Sequence, residues 1–171
     1  MVWSCLVSIL PGMAQTEKLT DYVNPFVGTD GYGNVYPGAQ IPFGGIQISP
    51  DTDSRFYDAA SGYKYNHLTL MGFSLTHLSG TGIPDLGDFL FIPGTGEMKL
   101  EPGTHEDPDQ GYRSRYSHDK EWASPNYYAV ELADYGVKAE MTSGVRSGMF
   151  RFIYPESDNA CLLYTSPSPR D

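Results

Sequence analysis

Hydrophobic and polar residues alternate with a period of two in three consecutive runs near the end of this chain. Tyr128, Val130 and Leu132 share one face of the first run. Val137, Ala139 and Met141 share one face of the second, and Phe150, Phe152 and Tyr154 one face of the third. A period of two places alternate side chains on opposite faces of a strand. Asp134-Tyr135-Gly136 and Thr142-Ser143-Gly144 supply turns between the runs, so the pattern predicts an antiparallel meander. Upstream, Ile46 and Ile48 alternate with Gln47 and Ser49, which predicts a strand within Ile41 to Ser49 that begins after Pro42. Leu68 to Phe73 is apolar. Asp88 to Ile92 reads as a compact strand stopped by Pro93-Gly94, with Glu97 to Leu100 as its returning arm. Tyr112 to Ser117 alternates as a strand with one solvated face, and Tyr63 and Tyr65 flank Lys64 in a short alternating piece. Asp51 to Ala60, Pro102 to Gly111 and Asp119 to Asn126 read as loops. No segment sustains a helical stripe. The expectation is an all-β fold, an antiparallel β-sandwich.

Composition agrees with this reading and narrows the partners. The chain has 171 residues, 40% hydrophobic and 19% charged, which suits one globular domain. Its 19 glycines, 13 prolines and 13 tyrosines fit strands joined by long shaped loops. The formal net charge of -10, with no basic run, excludes a nucleic-acid binder and favours a neutral ligand or a cation. The two cysteines, Cys5 and Cys161, belong to no metal-spaced cluster. The histidines His67, His77, His105 and His118 have no close ligand spacing.

The two ends read differently from the body. Val2 to Met13 is apolar and broken by Pro11-Gly12, which predicts a secretory signal peptide over residues 1–14, although a basic start is missing. Export follows, to the bacterial periplasm, the cell surface or the extracellular space. The stretch is shorter than the roughly 20 residues of a membrane span, so no transmembrane segment is expected. The last ten residues, LLYTSPSPRD from Leu162 to Asp171, resemble a translated sequencing-adaptor remnant. They are expected to be an artefactual tail, which bounds the domain at residues 19–161. The other reading is a genuine disordered tail.

Candidate chemistry gathers in glycine-bounded loops. Gly28 to Asn34 lacks both the GxGxxG spacing and a following lysine, so it is no phosphate cradle. It either presents Thr29 and Asp30 to a polyhydroxylated ligand or forms a corner capped by Asp30. His77 lies between Thr76 and Ser79. It could donate to a sugar hydroxyl or be a satisfied structural histidine. Asp85 and Asp88 read as turn caps before they read as a catalytic pair. Tyr32, Tyr36, Phe56, Tyr57 and Trp122 are aromatic candidates for contact with sugar rings.

Four ordered blocks carry a family resemblance. YVNPFVGTDGYGNVYPGAQIPFG (Tyr22 to Gly44), SGYKY (Ser61 to Tyr65), GFSLTHLSGTGIPDLGDFL (Gly72 to Leu90), and SPNYYAVEL followed by VKAEMTSGVRSGMFRFIYP to Pro155 together resemble the N-terminal region of glycoside hydrolase family 92, the exo-acting α-mannosidases. The resemblance implies a β-sandwich followed by an (α/α)6 barrel, and removal of terminal mannose from α-linked glycans, α-1,2 linkages among them, with inversion. It also implies dependence on Ca²⁺, held mainly by the barrel. That barrel would be a partner in cis and would supply the catalytic acid and base, so no catalytic or metal-binding residue is assigned to this chain. Thr29, Asp30, Thr76 and His77 are the substrate-binding residues it implies. Asn34, Lys64 and Leu75 stand where family members often carry histidine, which bears on linkage preference. A stand-alone carbohydrate-binding module and a structural or interaction domain are the competing readings.

Overall fold

The computed structural model describes residues 17–53, 57–80, 83, 87–97 and 99–165. Ten short strands and no α-helix appear among them. The strands are β1 (Ser49–Asp51), β2 (Thr69–Leu70), β3 (Gly72–Ser74), β4 (Leu90–Thr95), β5 (Ser114–Arg115), β6 (Glu121–Ser124), β7 (Tyr127–Leu132), β8 (Val137–Ser143), β9 (Gly148–Ile153) and β10 (Ala160–Thr165). They form two four-stranded sheets, ordered β1-β3-β4-β10 and β6-β7-β8-β9, and a two-stranded ribbon of β2 and β5. Every pairing is antiparallel. The fold is an all-β sandwich.

The meander forms where period two predicts it, as β7, β8 and β9. Tyr128 pairs with Met141, Val130 with Ala139, and Ala139 with Phe152, so the apolar sets of the three strands share one face. That face meets Ile48, Phe73 and Ile92 in the core. Phe73 lies between the sheets, 6.4 Å from Phe150 and 6.2 Å from Phe152 by ring centroids, and Phe91 is 5.3 Å from Phe150. Such separations suit tilted aromatic pairs.

Several expected elements move, each for a local reason. Ile41 to Ser49 forms no long strand. Phe43 takes a left-handed conformation at φ +60°, the Gly44 N–H closes a turn on Ile41 O, and the Gly45 N–H donates to Val145 O. The ladder starts at Ser49, and Ile48 contributes only an isolated bridge to Ala39. Pro50 is tolerated because β1 is an edge strand, where its missing N–H costs no ladder bond. β4 runs through Pro93-Gly94, because β3 pairs with it only at Phe91 and leaves that side free beyond. Its antiparallel partner is β10, with Thr95 opposite Ala160, and Glu97 to Leu100 forms no returning strand among the described residues. The strand starting at Ala160 continues to Thr165, four residues into the segment read as tail. Asp119 to Asn126, read as loop, contains β6. Its inward positions are Glu121 and Ala123, so apolar alternation gives no sign of it.

Glu121 is buried and fully engaged. It accepts hydrogen bonds from the Tyr63 and Tyr128 hydroxyls and faces His118 Nδ1 at 2.6 Å. A buried carboxylate is tolerated when donors surround it in this way. Burial and the neighbouring carboxylate push both tyrosine hydroxyls well above their ordinary range. Replacing Phe73 by Ala removes a fully buried ring between the sheets and is expected to cost about 3–5 kcal/mol. Phe150→Ala, at a half-buried position, should cost less. Urea unfolding of the two variants checks the order.

Candidate functional site

Three loops meet because their backbones bond to one another. The Gly28–Asn34 loop folds tightly on itself. Gly28 lies at φ +86°, and a Cβ on Gly33 would come within 2.1 Å of Gly28 O, so only glycine fits there. The second block attaches to this loop twice. Tyr65 N–H donates to Thr29 O at 2.9 Å, and Lys64 Nζ donates to Gly31 O at 3.0 Å. The third block attaches through the Gly80 N–H, which donates to Asn34 O at 2.8 Å.

The first two loops enclose an open depression of about 380 Å3. Asn24, Phe26, Val27, Thr29, Asp30 and Tyr65 line it. Thr29 is buried, and both its hydroxyl and its N–H donate to Phe26 O, so it shapes the wall from within. Asp30 is exposed at the lip. The Phe26 ring meets Tyr65 edge-on at 5.8 Å. Tyr65 in turn stacks on His118 at 3.9 Å with the planes 3° apart. His118 Nε2 lies 2.7 Å from Tyr65 O. The depression therefore combines one carboxylate, backbone polar groups and two aromatic rings, a set suited to a polyhydroxylated ligand.

Thr76 and His77 occupy the third loop. The Thr76 hydroxyl donates to Asp88 Oδ2 at 3.3 Å, and the Gly87 N–H donates to Thr76 O. His77 points inward and is 4% exposed. Its Nδ1 lies 2.6 Å from Gln47 O and its Nε2 2.8 Å from Asp51 Oδ1, while Ser74 Oγ donates to Asp51 Oδ2 at 2.6 Å. Both ring nitrogens face acceptors, so the doubly protonated ring satisfies both. Burial opposes that charge. The Asp51 carboxylate and the two hydrogen bonds outweigh it and hold the imidazole above its ordinary value. The Tyr36 ring lies 5.2 Å away, and burial pushes its hydroxyl up to about 12. This geometry is that of a satisfied structural histidine, which steers the third loop from beneath.

The partners of His77 lie outside the residues singled out from sequence. Asp51 follows directly on the Ile46–Ser49 alternation, and a carboxylate at the end of a buried strand is the available signal. Gly62 is another. At φ +86° its Cβ would fall 2.3 Å from Asp51 Oδ1 and 2.9 Å from His77 Cδ2. Of the aromatic candidates, Tyr32, Tyr57 and Trp122 are exposed and Tyr36 is half-buried. Phe56, Asp85, Cys5 and the leader lie outside the described residues. Cys161 is free. No group of three or more His, Cys, Asp or Glu is placed to hold a metal among the described residues, and no calcium ligand is assigned here. No helix among them is long and apolar enough to cross a membrane.

Two outcomes follow from the ion pair. Gly62→Ala should destabilise by more than about 1 kcal/mol, since it adds backbone strain to a clash. A raised histidine pKa stabilises the fold fully below the unfolded value of about 6.5 and loses that contribution as pH rises through the higher folded value. The wild type should therefore lose stability across that alkaline window relative to His77→Gln, measured as urea midpoints at several pH values.

Comparison with known proteins matches this architecture. The model of the glycosyl hydrolase family 92 N-terminal domain matches residues 22–169. A family GH92 α-mannosidase from Bacteroides thetaiotaomicron, also solved in complex with mannoimidazole, is 97% identical with a TM-score of 0.85 over 86% of this chain and 20% of its own. A family GH92 inverting mannosidase from B. thetaiotaomicron VPI-5482 is 28% identical with a TM-score of 0.70 over 87% of this chain and 20% of its own. An uncharacterized secreted glycosidase of Arthroderma benhamiae is 30% identical over 139 residues, 80% of this chain and 17% of that protein. The chain thus spans about a fifth of the length of these relatives. With the family model covering most of its length and the sandwich reproduced, the chain belongs to glycosyl hydrolase family 92, as its N-terminal domain.

Proposed function

We propose that this chain is the N-terminal sandwich of an exported, Ca²⁺-dependent, inverting exo-α-mannosidase, and that its loops form part of the wall of the mannose pocket. The carrying observation is the open depression enclosed by the Gly28–Asn34 and Lys64–Tyr65 loops, to which the Thr76–Gly80 loop is bonded through the Gly80 N–H and Asn34 O. The substrate class comes from the family and from the mannosidases that share its fold. Asp30 is the proposed acceptor of hydrogen bonds from a sugar hydroxyl, a reading supported by its exposed carboxylate on the lip. Thr29 and Tyr65 shape the wall, and Thr76 lies on the neighbouring loop. His77 acts through the position of that loop.

Inversion needs an acid and a base carboxyl roughly 6.5–9.5 Å apart across the scissile bond. We assign no such pair to this chain and place both groups, with the calcium, in the (α/α)6 barrel of the longer protein. Calcium would there supply positive charge to orient the sugar hydroxyls. Terminal α-1,2-linked mannose is the proposed substrate, with Lys64 and Asn34 as the positions that tune linkage.

Two assays test the reading. The chain alone, with Ca²⁺, should release no mannose from an α-1,2-linked mannobiose, and appreciable turnover would overturn the division of labour. In a protein extended to the length of its relatives, Asp30→Ala should lower kcat/KM by at least about tenfold, the loss of a hydrogen bond to a charged group. Its thermal midpoint should be unchanged. Unaltered kinetics would remove Asp30 from the pocket.

A further inference from the structure

The outer face of the β6-β7-β8-β9 sheet carries a set of side chains that the pocket loops do not use. Strand register places Trp122, Ala129, Glu140 and Arg151 in one row across the four strands. Ser124 and Tyr127 pair in the next row, which Thr142 and Met149 continue. Trp122 and Tyr127 are diagonal neighbours on one face, a relation that sets the two residues about 7–8 Å apart, within reach of their long side chains. Both are exposed, Trp122 at 46% and Tyr127 at 36%.

Beside them lies a groove of about 200 Å3 lined by Tyr127, Glu140, Met141, Thr142, Met149 and Arg151. That is less than the roughly 300–1,000 Å3 of a drug-sized pocket and suits a single ring. Its floor is a fixed carboxylate. Glu140 accepts from Arg151 Nε, from Lys138 Nζ at 2.9 Å and from the Tyr127 hydroxyl at 3.0 Å. The Arg151 and Lys138 hydrogen bonds, helped by Tyr127, hold it down to about 2 against the opposing effect of burial. Lys138 also sits 5.6 Å over the Trp122 ring. The Arg151 side chain is 71% exposed, so its outer N–H groups face the groove mouth and solvent as donors.

We propose that this face binds a short neutral oligosaccharide, one pyranose in the groove and a further unit against Trp122. Glu140 is satisfied by its three donors, so the groove floor offers no free carboxylate to a metal ion. What remains is an aromatic and thioether wall for the apolar side of a sugar ring, with guanidinium and phenol groups for its hydroxyls. A neutral ligand also matches a chain of net charge -10. Ala129, between Trp122 and Glu140, keeps the row low so that a ligand can lie across it. The groove shares no lining residue with the Asp30 depression, so its failure would leave the pocket reading standing.

Trp122 and Trp3 are the two tryptophans of the chain, so a Trp3→Phe background makes Trp122 a lone reporter. Titration of that protein with methyl α-D-mannopyranoside and with α-linked mannobiose should give a saturable change in its fluorescence. The disaccharide should bind more tightly. Arg151→Ala and Tyr127→Ala, each checked for native circular dichroism, should weaken binding by at least about tenfold, the factor that corresponds to 1.4 kcal/mol. Asp30→Ala should leave it unchanged. No saturable change, or curves unaltered in the two folded groove variants, would overturn the proposal. So would binding by the chain that vanishes in a protein extended to the length of its relatives, because the face would then be filled by the rest of that molecule.

Discussion

The buried pair of Asp51 and His77 is the contact on which the arrangement of loops depends. It joins the end of β1 to the turn after β3, and Ser74 and the Gln47 carbonyl complete it. Gly62 packs against both partners, so the second sequence block is fixed to the same point. A buried charge pair gains little over an apolar contact of equal volume, yet losing one partner is costly because the other charge is stranded. The pair therefore specifies geometry more than it adds stability. Its lock works only with the left-handed glycine beside it.

A second buried group performs the same task for the Tyr65 wall of the depression. Glu121 gathers Tyr63, Tyr128 and His118, and His118 carries Tyr65 on its face. The wall of the depression is thus connected through one stacked ring to the inner face of β6. Both anchors are polar residues in core positions. A sandwich built on short strands has few apolar contacts per strand, and such networks keep its loops in one register.

The sequence and the structure agree where burial follows a simple period. The β7, β8 and β9 meander is legible because Val130, Ala139 and Phe152 mark one apolar face and short turns separate the runs. β6 escapes the same reading because its inward residue is Glu121, a polar side chain doing the work of an apolar one. The segment before β1 escapes for a different reason. Ile46 and Ile48 do alternate, but Phe43 and two glycines spend the preceding residues on a turn, and the neighbours of Gly45 and Gln47 are loop carbonyls. β4 shows that a Pro-Gly pair stops a strand only where a ladder partner needs the missing N–H. At the candidate site the glycine loop was legible as a tight corner, and Asp30 is exposed on it. For His77 the structural reading was one of two left open, because its partners Asp51 and Gln47 lie 26 and 30 residues away in the chain.

The proline in β1 has a consequence for how the sandwich can grow. Pro50 offers no N–H, and it occupies the outer strand of its sheet, so a newcomer approaching that margin finds the hydrogen-bonding row interrupted. The opposite margin is β10, six residues long and free of proline between Ala160 and Thr165. The two margins are therefore unequal. A chain segment that extends the sheet, whether from the same molecule or another, meets an interrupted donor row at β1 and a row without proline at β10, so a single residue biases the direction of assembly.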